Sequence, residues 1–288
     1  MLDKPRHLLL TGTGCGDYYL LPNPKTGGQD STQHDAANPN VRMPAQLFIS
    51  PRYLVDFSTE GVEQLQRHNV GLQKVDHILI THSQLDHFYG QSIVNYCLQR
   101  AQNSHLPTHI FGNEMIRHLM DQEILLQQAQ DTVVVQVLEP FQAYDLGDMV
   151  VVPLVANHLN KGRNAVLGET AFNYVFRLDS KTILYAVDTA YPLAETWAAL
   201  GQYYFDIVII EATLGEEKDV DRMTTDHLNY ALVEEIVTRL RSAGNLAPDA
   251  LIALTHLSPW RVLSHEETAA HLARKGLTLA FDSMRIDL

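Results

Sequence analysis

The chain has 288 residues, a formal net charge of −13, and a composition that is 45% hydrophobic and 19% charged. A chain this long buries enough apolar surface to fold without staples, and its two cysteines, Cys15 and Cys97, exclude a disulfide scaffold and a four-cysteine zinc site. The acidic balance disfavours membranes and nucleic acid as partners, because both are polyanions that attract basic surfaces. A small anionic substrate remains compatible, since bound cations would supply the positive charge, and so does a homodimer. The first residues carry too short an apolar run for a signal peptide or a membrane span, so a cytoplasmic protein is expected.

In chain order, Leu8–Thr11 closed by Gly12-Thr13-Gly14 reads as a buried strand and a tight turn. Pro22–Pro44 lacks any period and reads as a long loop. Gln46–Ser50 and Tyr53–Phe57 read as strands around a Ser-Pro turn, Val62–His68 as a helix, and Val75–Thr81 as a strand. A helix begins near Gln91, and Asn113–Gln128 spaces Met115, Leu119 and Ile124 helically. Val133–Leu138 and Met149–Val155 are β-branched strands, while Phe172–Leu178 and Thr182–Val187 form a hairpin around Asp179-Ser180. Phe205–Glu211 and Leu251–Thr255 read as fully buried strands. Asp226 is placed to cap a helix reaching Arg241, with Leu228, Leu232, Ile236 and Leu240 on one face. A last helix runs from His265 to Arg274. No low-complexity linker interrupts this order, so residues 1–288 are expected to form a single domain. The predicted class is α/β (α+β): a four-layer αββα sandwich of two mixed β-sheets packed face to face, with helices on the outside.

The chemistry concentrates at strand ends. Thr81-His82-Ser83-Gln84-Leu85-Asp86-His87 follows an apolar strand with two imidazoles and a carboxylate, the donor types of catalytic zinc, manganese or iron. Three more apolar runs end the same way, at His158, Asp188 and His256. One such histidine is ordinarily a solvated loop residue, but four strands each ending in a ligand are hard to assign to chance. The remaining histidines, His77 in a strand and His105, His109, His118, His265 and His271 in loops or on helices, lack ligand spacing. Cys15 reads as a small buried residue rather than a nucleophile, because nothing nearby in sequence would lower its pKa.

These residues resemble the metallo-β-lactamase-fold hydrolase superfamily over nearly the whole chain. Its Thr-His-x-His-x-Asp-His motif matches Thr81–His87, and its later ligands match His158, Asp188 and His256. Glu211-Ala-Thr, Asp226-His227-Leu and Thr255-His256-Leu-Ser-Pro are similar to landmarks of the branch containing the transfer-RNA 3′-processing endonuclease and phosphodiesterases of cyclic phosphates. The resemblance implies two divalent metal ions, zinc being the expected one and manganese or iron the alternatives. One ion would be held by His82, Gln84 and His158. The other would be held by Asp86, His87 and His256, with Asp188 bridging the pair. A hydroxide between the ions would attack phosphorus or a carbonyl carbon. His227, counted with Asp86 as catalytic, would steady charge or protonate the leaving oxygen, and Asp56 would orient the ligand loop.

Two departures bear on substrate. Gln84 stands where the motif has its second histidine, making that side the weaker metal site, and no basic Gly/Pro-rich arm is present to grip transfer RNA. The implied function is a phosphodiesterase acting on a small phosphorylated or nucleotide substrate. The alternatives are an acyl hydrolase for a lactone, thioester or β-lactam on the same metals, and a non-catalytic ligand-binding member of the family. Pro22–Pro44 and Asn160–Thr170 are expected to border the pocket.

Overall fold

The computed structural model describes residues 6–16, 38–158, 168–222 and 224–288. Most of the two segments expected to border the pocket, residues 22–37 and 160–167, therefore lies outside the described residues. Two compact units are present. One comprises Asp35–Leu138 with the N-terminal strand and Phe281–Leu288, and the other comprises Glu139–Ala280.

The first unit carries one seven-stranded mixed sheet. Strands β1 (His7–Gly12), β2 (Gln46–Ile49) and β3 (Tyr53–Val55) pair antiparallel, and β3, β4 (His77–Leu79), β5 (Thr108–Gly112) and β6 (Val133–Val137) pair parallel. The sheet's other edge is β14 (Arg285–Asp287), which pairs antiparallel with β1. Helices α1 (Gly61–Arg67), α2 (Gly90–Ala101) and α3 (Glu114–Leu126) bury Leu65, Ile93 and Met120 in one apolar cluster with Ile78 and Ile110 of the strands. Each aliphatic side chain so buried contributes about 1.5–3 kcal/mol. Helix α3 begins where it does because Asn113 accepts a hydrogen bond from the Ile116 amide, satisfying a donor that the helix itself cannot.

The second unit repeats this plan. Strands β7 (Tyr144–Asp145), β8 (Val150–Val155), β9 (Phe172–Leu178) and β10 (Lys181–Ala186) pair antiparallel, and β10, β11 (Phe205–Glu211), β12 (Leu246–Thr255) and β13 (Thr278–Leu279) pair parallel. Helices α4 (Ala194–Leu200), α5 (Tyr230–Ser242) and α6 (His265–Ala273) complete it. The stripe Leu232, Ile236 and Leu240 of α5 is buried with Val208, Ile210 and Leu254, as its 3.6-residue spacing requires. Two mixed sheets with flanking helices confirm the expected α/β class.

Several elements differ from their sequence-based expectation. β5 contains His109, which was expected in a loop or on a helix, and α4, β7, β13 and β14 carried too little periodicity to be expected at all. The strand expected over Val75–Thr81 is regular only at His77–Leu79. Helix α5 is capped not by Asp226 but by Asn229, whose side chain accepts from the Leu232 amide. Asp226 and His227 thus precede the helix, and Leu228 is fully buried ahead of its first turn.

Candidate metal centre

In the first unit, β3 and β4 run parallel, so the residues that follow them emerge at the same edge of the sheet, where parallel-sheet proteins hold their ligands. Asp56 follows β3 and the Thr81–His87 segment follows β4. Asp56 is fully buried with φ of 65°, a left-handed conformation that Asp tolerates better than most residues. This turn aims its carboxylate at the ligand segment. Oδ1 accepts from the Thr81 amide at 2.8 Å and from Thr81 Oγ1 at 2.9 Å, while Oδ2 lies 2.8 Å from His87 Nδ1. Thr81 Oγ1 in turn lies 3.0 Å from His82 Nδ1. Both histidines are therefore fastened through Nδ1, which leaves Nε2 as the outward donor.

Those outward nitrogens meet the other candidates. His87 Nε2 lies 3.4 Å from Asp86 Oδ2, and His82 Nε2 lies 3.1 Å from Gln84 Oε1. His82 and His87 are fully buried, with ring centroids 4.4 Å apart. Leu85, between the donors, is exposed.

In the second unit, β8, β10, β11 and β12 present their carboxyl ends at one edge, and His158, Asp188, Glu211 and His256 sit there. Asp188 and His256 adopt left-handed φ of 52° and 55°, each placed one or two residues past its strand. Such conformations cost about 1–3 kcal/mol each and persist where the surroundings enforce them. His158 Nε2 lies 3.9 Å from Asp188 Oδ2, and His256 Nδ1 lies 3.1 Å from Asp188 Oδ1. All three residues are buried. The Nδ1 pattern recurs here. His158 Nδ1 faces the Asp226 carbonyl oxygen at 3.2 Å, and His256 Nδ1 faces Thr213 Oγ1 at 2.9 Å.

Zinc bonds of about 2.0–2.2 Å in a tetrahedron leave neighbouring ligand atoms about 3.3–3.6 Å apart. The separations that involve an outward Nε2, 3.1 and 3.4 Å in the first unit and 3.9 Å between His158 and Asp188 in the second, lie within a few tenths of an ångström of that spacing. Imidazole nitrogens oriented through Nδ1 and carboxylate oxygens are also the donor chemistry of such ions. The residues present fit a divalent metal.

Sequence reasoning gave Glu211 no role beyond a landmark, yet it is the most heavily bonded carboxylate at this edge. It is fully buried and accepts from the Thr189 amide at 2.7 Å, from Thr213 Oγ1 at 2.7 Å and from the Leu228 amide at 3.1 Å. His227 Nδ1 lies 3.0 Å from Glu211 Oε1 and 3.4 Å from Asp188 Oδ1. Burial alone would depress the His227 pKa, but the charge of Glu211, its hydrogen bond, and then Asp188 and Asp226 push it up to about 10. Burial works against ionisation of Glu211 too, yet the His227 charge and hydrogen bond hold its carboxyl below the usual carboxylate range. The two form a buried-to-half-buried ion pair. Glu211, His227 and His256 also offer donor atoms within 4.8 Å of one another. The Glu211 oxygens, however, are turned toward backbone amides and Thr213, which makes it an anchor for His227 and Thr213. Cys15 and Cys97 are both buried and form no disulfide with each other.

Comparison with known proteins identifies the fold that carries these residues. A family model described as a β-lactamase superfamily domain matches residues 51–257. No curated protein matches the chain. Among solved structures, a diphosphatase of the PhnP family superposes with a TM-score of 0.70 at 20% identity, covering 98% of both chains. The short form of human tRNase Z gives 0.66 at 17% identity, again over 98% of both. Zn(2+)-bound PqqB from Methylobacterium extorquens gives 0.66 at 14% identity, over 98% of this chain and 100% of the other. At such identities these likenesses speak for the fold. No described helix is long and apolar enough to cross a membrane. The chain belongs to the β-lactamase superfamily, whose fold is carried mostly by metal-dependent hydrolases.

Proposed function

We propose that the chain is a metal-dependent phosphodiesterase acting on a small anionic, phosphorylated or nucleotide substrate. Two donor sets support the metal: His82, Gln84, Asp86 and His87 in the first unit, and His158, Asp188 and His256 in the second. Together they make up the ligands of the two-ion assignment that the sequence resemblance implies, with zinc the expected ion. Ions held there would supply Lewis acidity and a water acidified enough to be a nucleophile near neutral pH.

The observation that carries the phosphodiester reading is the Glu211–His227 pair beside Asp188. With Nδ1–H donated to Glu211, the His227 proton available to a substrate sits on Nε2. A group held protonated in this way can release its proton to a leaving alkoxide, as phosphodiester cleavage requires. Glu211 fixes the ring's orientation because its own oxygens are locked by the Thr189 and Leu228 amides. Thr213, bonded to the same carboxylate, carries that rigidity to His256.

The test is a panel of chromogenic phosphodiesters, lactones and β-lactams, assayed with the metal-free chain before and after addition of zinc or manganese. Phosphodiester turnover that disappears with chelation and returns with metal is expected. Turnover restricted to lactones or lactams overturns the substrate class, and full activity in metal-free protein overturns the metal.

A further inference from the structure

The first unit contains a second network that the metal-centre reading leaves without a role. Strand β14 returns beside β1, and the link continues upstream of it: Ser283 N donates to Leu10 O at 2.9 Å and Leu10 N to Met284 O at 3.0 Å. This brings Asp282 against the glycine-rich turn that follows β1, across 269 residues of sequence. Thr13 Oγ1 donates to Asp282 Oδ1 at 2.6 Å, and the Met43 amide donates to Asp282 Oδ2 at 2.7 Å. Arg42, buried alongside, donates through Nη1 to Thr13 Oγ1 at 2.6 Å. Gly14 N closes the turn on Met43 O at 2.8 Å.

The turn so held reaches Asp86. A Cβ placed on Gly16 would stand 3.0 Å from Asp86 Oδ2 and 3.1 Å from Asp86 Cγ. The peptide at Gly16 therefore forms a wall against the Asp86 carboxylate, and only a residue without a side chain leaves that carboxylate where it is. The start of the turn is equally close-packed: a Cβ on Gly12 would lie 1.8 Å from Pro44 O. With Gly12 pressed on Pro44 and Thr13 tied to Asp282, the chain has little freedom in how it delivers Gly16.

We infer that Asp282 is a positioning residue for the Asp86 side of the metal centre, acting through Thr13 and the Gly14–Gly16 turn rather than by touching ion or substrate. The inference rests on Asp86 being a ligand, as proposed above. Its energetic signature is coupling: the hydrogen bonds of Asp282 and the absence of a side chain at residue 16 serve the same carboxylate, so damage to one removes what the other protects.

The experiment measures the zinc affinity of the full chain by competition with a chromogenic chelator. The variants are Asp282→Asn, Gly16→Ala, the pair combined, Thr13→Val and Thr13→Ser. Asp282→Asn and Thr13→Val are expected to weaken the tighter zinc by about tenfold, in the lower range for outer groups that orient a ligand. Thr13→Ser keeps the hydroxyl and is expected to stay within about twofold of the unmodified chain. The double variant is expected to bind zinc about as well as Gly16→Ala alone. Unaltered affinity in Asp282→Asn, or penalties that multiply in the double variant, overturns the inference. If circular dichroism shows Asp282→Asn unfolded, Thr13→Val combined with Gly16→Ala decides by the same criterion. An unmodified chain that binds no zinc refutes the metal reading itself, and does so before any substitution is made.

Discussion

Asp56 Oδ2 and His87 Nδ1 lie 2.8 Å apart in a fully buried pair, and the other oxygen of the same carboxylate holds Thr81, which in turn holds His82. One carboxylate thus orients two imidazoles. Removing it frees both rings and leaves the Thr81 amide without an acceptor. Asp56→Ala is expected to lower zinc affinity by about 10–100-fold and to destabilise the metal-free chain by about 1–3 kcal/mol. Chelator competition and thermal melts check the two effects. Undiminished zinc affinity would mean that His87 is held by its packing alone.

His227→Ala is expected to cut phosphodiester turnover by roughly a hundredfold or more, in the range for a general acid. Zinc content should stay within error of the unmodified chain, because Glu211 keeps its bonds to Thr189, Thr213 and Leu228. Turnover and elemental analysis on the same preparation separate the outcomes. Loss of metal would make His227 a ligand, and normal turnover would remove it from the mechanism.

Gln84 Oε1 stands 3.1 Å from His82 Nε2, where an amide oxygen offers a neutral, weaker zinc donor than imidazole. Purified protein is accordingly expected to hold between one and two zinc ions per chain, by its preference for nitrogen donors. Gln84→His should raise occupancy on the His82 side, with anomalous diffraction locating each ion. Equal and tight occupancy of both sites in the unmodified chain would show that the amide costs little.

The Asp282 carboxyl is pushed up from 3.8 to about 6, because burial raises it more than Thr13, the Met43 amide and Arg42 lower it. A folded-state pKa above the unfolded value means that the folded chain binds the proton more tightly. The stability this proton contributes is complete below about pH 4 and is lost as the pH rises through about 6. The melting temperature of metal-free protein relative to Asp282→Asn should therefore favour the unmodified chain most near the bottom of that window. A difference constant across the window would show that the carboxyl titrates normally.

The sequence made legible those parts of the site where one local signal suffices. An apolar run followed by His or Asp is visible in any window, and β11 spans Phe205–Glu211 as its apolar run predicts. β5 was missed because Thr-His-Ile-Phe-Gly has only two strongly apolar residues, its buried character coming from neighbours β4 and β6 on either side. The cap of α5 was misplaced by three residues because Asp226 and Asn229 are both good caps, and only the burial of Leu228 chooses between them. Glu211 was unreadable as an anchor since, apart from Thr213 two residues on, its partners lie far away in the sequence: Thr189 upstream, His227 and Leu228 downstream. The same holds for Asp282 and Thr13, which no local pattern could have joined.

The return of β14 to β1 has a consequence for how the chain is made. The first unit is interrupted by the second, and its sheet is finished only by residues translated after the second unit is complete. On the ribosome, β1 must wait with one edge open while Glu139–Ala280 can already close its own core, and exposed strand edges are where nascent chains misassociate. Biosynthesis would therefore run against chain order: the unit begun first is the one completed last.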